Sequence, residues 1–271
     1  MMMLGIGVNL KTSNFNQVWE LKFKVIIILL LKFFLISIGA FIIAKIFRFN
    51  MMETAGIVIL GSCPGGTVAN IYSYLTRSNL ALTVTLTILS TVVAPILIPT
   101  MLYLYLHKTI DIPYVDMFLK TVEIVLLPIV VGIVINKYFT RIESIKAIFP
   151  SISILCVGLI VSIIVALNYV EIMNFPIVII IACLFLNLYS IIIAWVISHV
   201  IKLDVKASRS VIFEYGMLDS GLATVLSLLF FSPAAALVST VYSVTQNIIG
   251  PIIVKLFKVR DESAYKNSVS N

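Results

Sequence analysis

Three ionisable residues lie inside apolar segments of this sequence and could do chemistry there. Lys32, Glu214 and Asp219 each fall within a stretch long enough to cross a bilayer. An ionisable group at membrane depth is costly and usually functional. Glu214 and Asp219 flank residues 215–218, so two carboxylates adjoin backbone oxygens, and oxygen ligands are those that hard cations prefer. The alternative is that one carboxylate caps the start of a helix.

Four uncharged polar residues lie at similar depth. Asn70 follows a pair of glycines, and Thr83 and Thr87 are four residues apart, so their hydroxyls share one helix face. The alternative for the threonines is a hydrogen bond to a carbonyl of their own helix. Asn247 lies next to Gln246 in the last apolar segment, where amides need a ligand or a neighbouring helix as partner.

These side chains must be positioned by helices that break within the membrane. The apolar run 54–74 contains Pro64, which removes a backbone donor, and then Gly65 and Gly66, which weaken helix formation. The sequence predicts two half-helices around residues 62–67 and a second interruption at 214–221. Because backbone groups freed in a membrane must be buried in protein or line a cavity, each break predicts a substrate or ion site.

Composition places the chain in a membrane. The 271 residues are 61% hydrophobic and 11% charged, whereas a soluble domain has about 25% charged residues. We therefore predict an all-α polytopic membrane protein. The net charge of +7 is spread over short loops rather than gathered in a patch, which argues against nucleic-acid binding. Motifs of hydrolases, metalloenzymes and nucleotide-driven pumps are absent from the sequence, so neither an enzyme nor a cofactor is predicted beyond a coupling ion.

The order of apolar segments predicts about eight spans in an inverted repeat. The first three spans are an unbroken helix, a broken helix and a helix with scattered polar residues. Two further spans follow, and the last three spans repeat the first order in the opposite orientation, as in secondary carriers. Lys and Arg concentrate on one side, which predicts cytoplasmic termini in the plasma (inner) membrane. The predicted spans are 24–48, 51–75, 79–106, 117–139, 149–170, 176–201, 208–230 and 234–257, and residues 261–271 are predicted to be unstructured.

Several stretches resemble the bile acid:sodium symporter family. Residues 61–70 (GSCPGGTVAN) and 213–222 (FEYGMLDSGL) resemble that family's two signatures, and residues 243–250 (SVTQNIIG) resemble its last helix. Residues 4–11 (LGIGVNLK) resemble the end of its second helix. The resemblance covers essentially the whole chain in the family's order.

The resemblance implies a core domain, in which the two broken helices cross, and a panel domain that moves against it. Bacterial members have ten spans, so the chain is expected to hold about eight of ten and to be shortened at the N-terminus. The implied divisions are a helix remnant and loop (1–23), core repeat one (24–106), the panel (107–175), core repeat two (176–257) and a cytoplasmic tail (258–271).

The family's two sodium sites are only partly matched. The first is similar at Asn70, Thr83, Thr87 and Glu214, although Ala69 replaces a hydroxyl-bearing residue. The second uses the same glutamate, backbone oxygens and two glutamines; the matching positions here are Lys32, Glu214, Tyr215, Met217 and Leu218, with Lys32 and Leu218 in place of the glutamines.

Lys32 would put a fixed positive charge where the second sodium lies, and two cations at close range repel strongly in a low dielectric. We therefore expect Lys32 to replace that sodium and to pair with Glu214 or Asp219. The carrier would then be sodium-independent, coupled to one sodium, or proton-coupled through a neutral Lys32. The alternative, a lysine that snorkels to the lipid interface, must cover about 12 Å of helix rise.

The substrate implied by the resemblance is a small organic anion, bile-acid-like, a sulfated steroid or a small carboxylate. Thr67, Asp219 and Asn247 are the candidates for lining its crevice. Asp219 replaces an amide and would repel an anion unless it is protonated or paired with Lys32. The other readings are a carrier of the same fold for arsenite- or auxin-type cargo and a truncated membrane protein that transports nothing. Oligomeric state has no signal in the sequence.

Overall fold

The computed structural model describes residue 3 and residues 22–138 and 177–269, and it describes side chains within 23–135 and 177–259. In these ranges the chain is helical. The helices are α1 (Lys22–Ile46), α2 (Met51–Gly61), α3 (Thr67–Leu75), α4 (Leu80–Leu106), α5 (Tyr114–Thr121), α6 (Leu127–Tyr138), α7 (Ile177–Val200), α8 (Val205–Gly216), α9 (Ser220–Phe230) and α10 (Pro233–Val269), and a π-helical turn (Val122–Leu126) joins α5 to α6.

Five helical stretches of the described part are long and apolar enough to cross a membrane. They are Phe23–Ile46, Leu80–Leu106, Tyr114–Ile135, Ile177–Val200 and Pro233–Val259. The predicted broken spans are instead two pairs of shorter helices, α2 with α3 and α8 with α9. The described part is therefore all-helical, and the chain is a multi-pass membrane protein. The predicted span 149–170 and most of the segment 1–23 lie outside the described residues.

The helix starts follow local capping signals. Asn50 and Glu53 form a reciprocal capping box at α2, Asn79 accepts from a first-turn N–H of α4, and Asp219 does the same at α9. Asp219 is thus a helix cap, the alternative considered for one of the two carboxylates. The prediction for the C-terminus was wrong, because α10 continues through Val269; each residue added to an existing helix gains a hydrogen bond.

Helix α2 lies at the centre of the packing. Its residues 54–61 are all buried, and it contacts α1, α4, α9 and α10. A Cβ atom at Gly56 would lie 2.2 Å from the carbonyl oxygen of Ala235, so a small residue allows α10 to approach closely. Within the stretch Tyr114–Ile135, only 22% of an 18-residue apolar window is buried, which places it at the periphery of the described part.

Candidate functional site

The two interruptions meet at a place that we call the crossing, where they pair through their backbones. Segments 64–66 and 217–219 form an antiparallel bridge between Gly65 and Leu218. Backbone groups freed by the breaks thereby satisfy one another, as burial in a membrane protein requires. The two hydrogen bonds run from Gly66 N–H to Met217 O (2.7 Å) and from Asp219 N–H to Pro64 O (2.9 Å).

The end of α8 is held from its other side by two neighbouring helices. The Asn187 amide of α7 and the Tyr242 hydroxyl of α10 both donate to the Gly216 carbonyl, at 2.8 and 2.9 Å. A carbonyl that loses its helical partner at a helix end needs such donors. The second break is therefore positioned by α7 and α10 as well as by the first break.

The Glu214 carboxylate lies against Gly65 of the bridge, and both of its oxygens accept hydrogen bonds. Its Oε1 accepts from Lys32 Nζ at 2.8 Å, from Gly65 N–H at 3.1 Å and from the Ser90 hydroxyl at 3.2 Å. Its Oε2 accepts from the Thr87 hydroxyl at 2.7 Å. A buried charge pair needs this degree of additional hydrogen bonding to offset its desolvation.

Lys32 points into the protein rather than toward lipid. The residue is 1% exposed, and its ammonium contacts Glu214, 182 residues later in the sequence. Of the two carboxylates considered as its partner, the structure pairs it with Glu214. The Lys32 ammonium therefore places a positive charge, attached to α1, directly against the Glu214 carboxylate.

Residues expected at the first sodium site are partly brought together. Thr87 contacts Glu214, whereas the Thr83 hydroxyl lies 2.8 Å from the Ser73 hydroxyl. The side-chain oxygen of Asn70 is buried and has no hydrogen-bond partner among the described residues. The expected residues therefore include one unused buried acceptor, one hydroxyl in contact with a carboxylate and a second hydroxyl, and such oxygens suit a hard cation.

The remaining second-site positions are occupied by protein contacts. Tyr215 is buried and its hydroxyl donates to the carbonyl of Ile28, while Met217 O accepts from the first break. Leu218 is 1% exposed and offers no side-chain oxygen. This half of the crossing is filled by Lys32 and apolar side chains.

The candidate substrate residues lie around the start of α9, with one exception. Asp219 is 3% exposed and Thr67 is half-buried at the start of α3. Asn247 is exposed and donates to a carbonyl of its own helix. The buried amide of α10 is its neighbour Gln246, which donates to the Ser220 hydroxyl at 3.2 Å.

Sequence reasoning did not single out Ser73 or Ser90, and it named Gln246 only as the neighbour of the candidate Asn247. Helical spacing could have found the serines, because Ser73 is three residues after Asn70 and Ser90 is three after Thr87. For Gln246 no local signal separates it from Asn247. Only the packing of α10 decides which amide faces the crossing.

Comparison of the sequence with known proteins finds a family match. The model of the sodium bile acid symporter family matches residues 1–175. The chain is 26% identical over 270 residues to a sodium-dependent transporter of Bacillus subtilis (YocS), an alignment that covers 98% of this chain and 84% of that protein.

Two further relatives come from eukaryotes. The chain is 27% identical to a chloroplast protein of Arabidopsis thaliana named as a probable sodium/metabolite cotransporter (BASS1), covering 94% of this chain and 64% of that protein. It is 25% identical to human sodium/bile acid cotransporter 4, and this alignment covers 85% of this chain and 54% of the human protein. The chain thus spans less than two thirds of the length of these two proteins. Its match to the family model covers more than half of its own residues, and the chain therefore belongs to the sodium bile acid symporter family.

Proposed function

We propose that the protein is a secondary carrier that takes up an organic anion together with one sodium ion, and that the Lys32 ammonium stands in for a second sodium. The observation that carries this proposal is the buried contact between Lys32 and Glu214 at 2.8 Å. The relatives described above carry sodium in their names, which supports sodium as the coupling ion.

The proposed architecture is a core of two inverted repeats with a panel beside it, holding about eight spans of a ten-span fold. Support comes from the element order, in which α1, α2–α3 and α4 match α7, α8–α9 and α10. The antiparallel direction of the Gly65–Leu218 bridge fits two repeats of opposite orientation. The panel (107–175) would include α5 and α6, and both termini would be cytoplasmic in the plasma (inner) membrane.

The proposed first sodium site consists of Asn70, Thr83, Thr87 and Glu214. The free acceptor of Asn70 and the Thr87 contact to the carboxylate support it. Sodium bound there would replace the donated hydrogen bond of Thr87, because a hydroxyl offers lone pairs once its proton turns away. Glu214 would then be shared between one mobile cation and one fixed cation.

The consequence of a fixed cation is a change in driving force. A sodium ion leaves its site during each transport cycle, but a lysine side chain stays attached to α1. The crossing can then keep Glu214 neutralised with one ion fewer moving down its gradient. We propose Lys32, Glu214, Tyr215, Met217 and Leu218 as this altered second site, and Thr67 and Asp219 as lining the substrate crevice. Asn247 is not included, because it is exposed and donates to a carbonyl of its own helix.

Uptake into proteoliposomes tests the proposed function. Purified protein should accumulate a labelled organic anion such as taurocholate or pantoate when sodium is higher outside, and should not do so when choline replaces sodium. Equal uptake in sodium and choline would contradict sodium coupling. Acceleration by an imposed proton gradient in choline would point instead to proton coupling through Lys32.

Replacing Thr87 by valine should weaken sodium binding. The change removes a hydroxyl 2.7 Å from the carboxylate of Glu214, and hydrogen bonds to charged groups contribute about 1.5–3 kcal/mol. We expect the sodium concentration for half-maximal uptake to rise about tenfold, the equivalent of 1.4 kcal/mol.

The matched control is Thr85→Val on the same helix. Thr85 is also buried, but its hydroxyl donates to the carbonyl of Ala81 within α4. This variant should keep the wild-type sodium dependence. A shift of the same size in both variants would mean that Thr87 acts through helix packing and not through the ion.

A further inference from the structure

Two half-helices start side by side at the crossing, but their first turns differ in charge. The positive end of a helix dipole and unpaired N–H groups make each start a site for negative charge. At α9 this role is filled by Asp219, which accepts from Leu222 N–H at 3.0 Å. At α3 the capping residue is Gly66, which makes no side-chain capping bond. One start is therefore capped by the protein's own carboxylate, and the other has no side-chain cap.

Asp219 receives no salt bridge from a described residue. The nearest candidate, Lys32, makes its contact with Glu214. Asp219 is 3% exposed, so its charge is balanced by the start of α9 and by Lys32 at longer range, not by solvent. A second carboxylate brought close by an anionic cargo would be repelled there, because like charges interact strongly in a low dielectric.

A second acceptor lies at the same helix start. Gln246 is 3% exposed, and its Nε2 donates to Ser220, the residue after Asp219. Its Oε1 is buried and has no partner among the described residues. An unpaired buried acceptor costs about 1–3 kcal/mol, so this oxygen favours a ligand that brings a donor. Two residues at the starts of α3 and α9, Thr67 and Gly221, are partly exposed.

We propose that the crossing selects cargo that carries an acid group together with a hydrogen-bond donor, for which an ammonium group is the best match. The acid group binds at the open start of α3, at Thr67, and the donor binds between Asp219 and the Gln246 oxygen. The preferred cargo is then an amino acid or another zwitterion. The inference rests on the proposed carrier function and narrows its substrate class.

The arrangement disfavours simple organic anions relative to donor-bearing acids for two reasons. An acid without a donor leaves the Gln246 oxygen unpaired, and it adds a second negative charge near Asp219 without bringing a cation of its own. Sites built to hydrogen-bond a substrate group discriminate strongly against analogues that lack the group. We expect a preference of at least about tenfold for the donor-bearing member of a matched pair of acids.

The experiment compares matched pairs by thermal stabilisation of the purified full chain in sodium buffer. The pairs are leucine with isocaproate, phenylalanine with hydrocinnamate and β-alanine with propionate, and taurocholate is the reference anion without an ammonium group. The amino member should raise the Tm at a concentration about tenfold lower than its partner does. In Asp219→Asn, which keeps a good helix cap and removes the charge, this preference should be lost. Asp116→Asn changes an exposed aspartate and should keep it.

The outcomes separate the two proposals. Equal or better stabilisation by the deamino acids, or a preference that persists in Asp219→Asn, overturns the selectivity. Sodium-dependent stabilisation by taurocholate alone also overturns it and leaves the carrier proposal standing. If no acid stabilises the protein in sodium more than in choline, the carrier proposal fails, and the selectivity fails with it.

Discussion

Replacing Lys32 by methionine is expected to lower the free energy of unfolding by about 3–5 kcal/mol, because the change leaves the Glu214 carboxylate buried without its cation. Both side chains are almost fully buried, and the ion pair is 2.8 Å long. Removing both charges together should recover most of the free energy of unfolding that the single change loses. Lys32→Met, Glu214→Gln and the double variant therefore form a cycle, measured by denaturation in detergent with Tm as a second readout.

The chain offers a matched control for this cycle. Lys120 and Glu123 form an ion pair of 2.7 Å, but their side chains are 56% and 58% exposed. An exposed pair contributes less than about 1 kcal/mol, so Lys120→Met should change stability little. If Lys32→Met proved as mild as Lys120→Met, the buried pair would not be the element that neutralises the crossing.

Replacing Gly65 by alanine is expected to disrupt the crossing itself. A Cβ atom at this position would lie 2.2 Å from Glu214 Oε2, whereas real Cβ atoms do not approach that closely. Either the carboxylate or the segment 64–66 must move, and both are joined to the other half of the crossing. We expect a loss of about 1–3 kcal/mol in stability and at least about a tenfold fall in sodium-driven uptake.

A Gly66→Ala variant distinguishes the two possible reasons for glycine at the first break, which are steric crowding and backbone flexibility. The same added methyl group would lie 3.2 Å from the Leu218 carbonyl oxygen, which a small shift can relieve. The backbone of Gly66 is extended, a conformation that alanine adopts freely. Uptake should therefore fall less than in Gly65→Ala. Equal losses in the two variants would show that backbone flexibility, not the approach to Glu214, requires glycine here.

The sequence predicted the breaks well because their signals are local. Pro64 and the glycines after it end α2 at Gly61 and allow α3 to start at Thr67, within the predicted 62–67 interval. The second break, between Gly216 and Ser220, also falls inside the predicted 214–221 interval. Apolar length alone was enough for the five long helices of the described part.

Contacts between distant segments were harder to predict. The partner of Lys32 is 182 residues away, so the sequence left Glu214 and Asp219 as alternatives. On α10, one residue is about 100° of rotation, and that step separates the exposed Asn247 from the buried Gln246. Ser73 reaches Thr83 only because α3 packs on α4. These choices depend on tertiary packing, which hydrophobic periodicity does not contain.

The number of sodium ions bound per protein tests the central claim most directly. Equilibrium binding of labelled sodium by the purified protein should give one ion in the wild type, with Lys32 filling the second position. In Lys32→Gln/Leu218→Gln, which supplies two amide side chains at the altered site, a second sodium should bind. Two sodium ions bound by the wild type would contradict the replacement of sodium by Lys32.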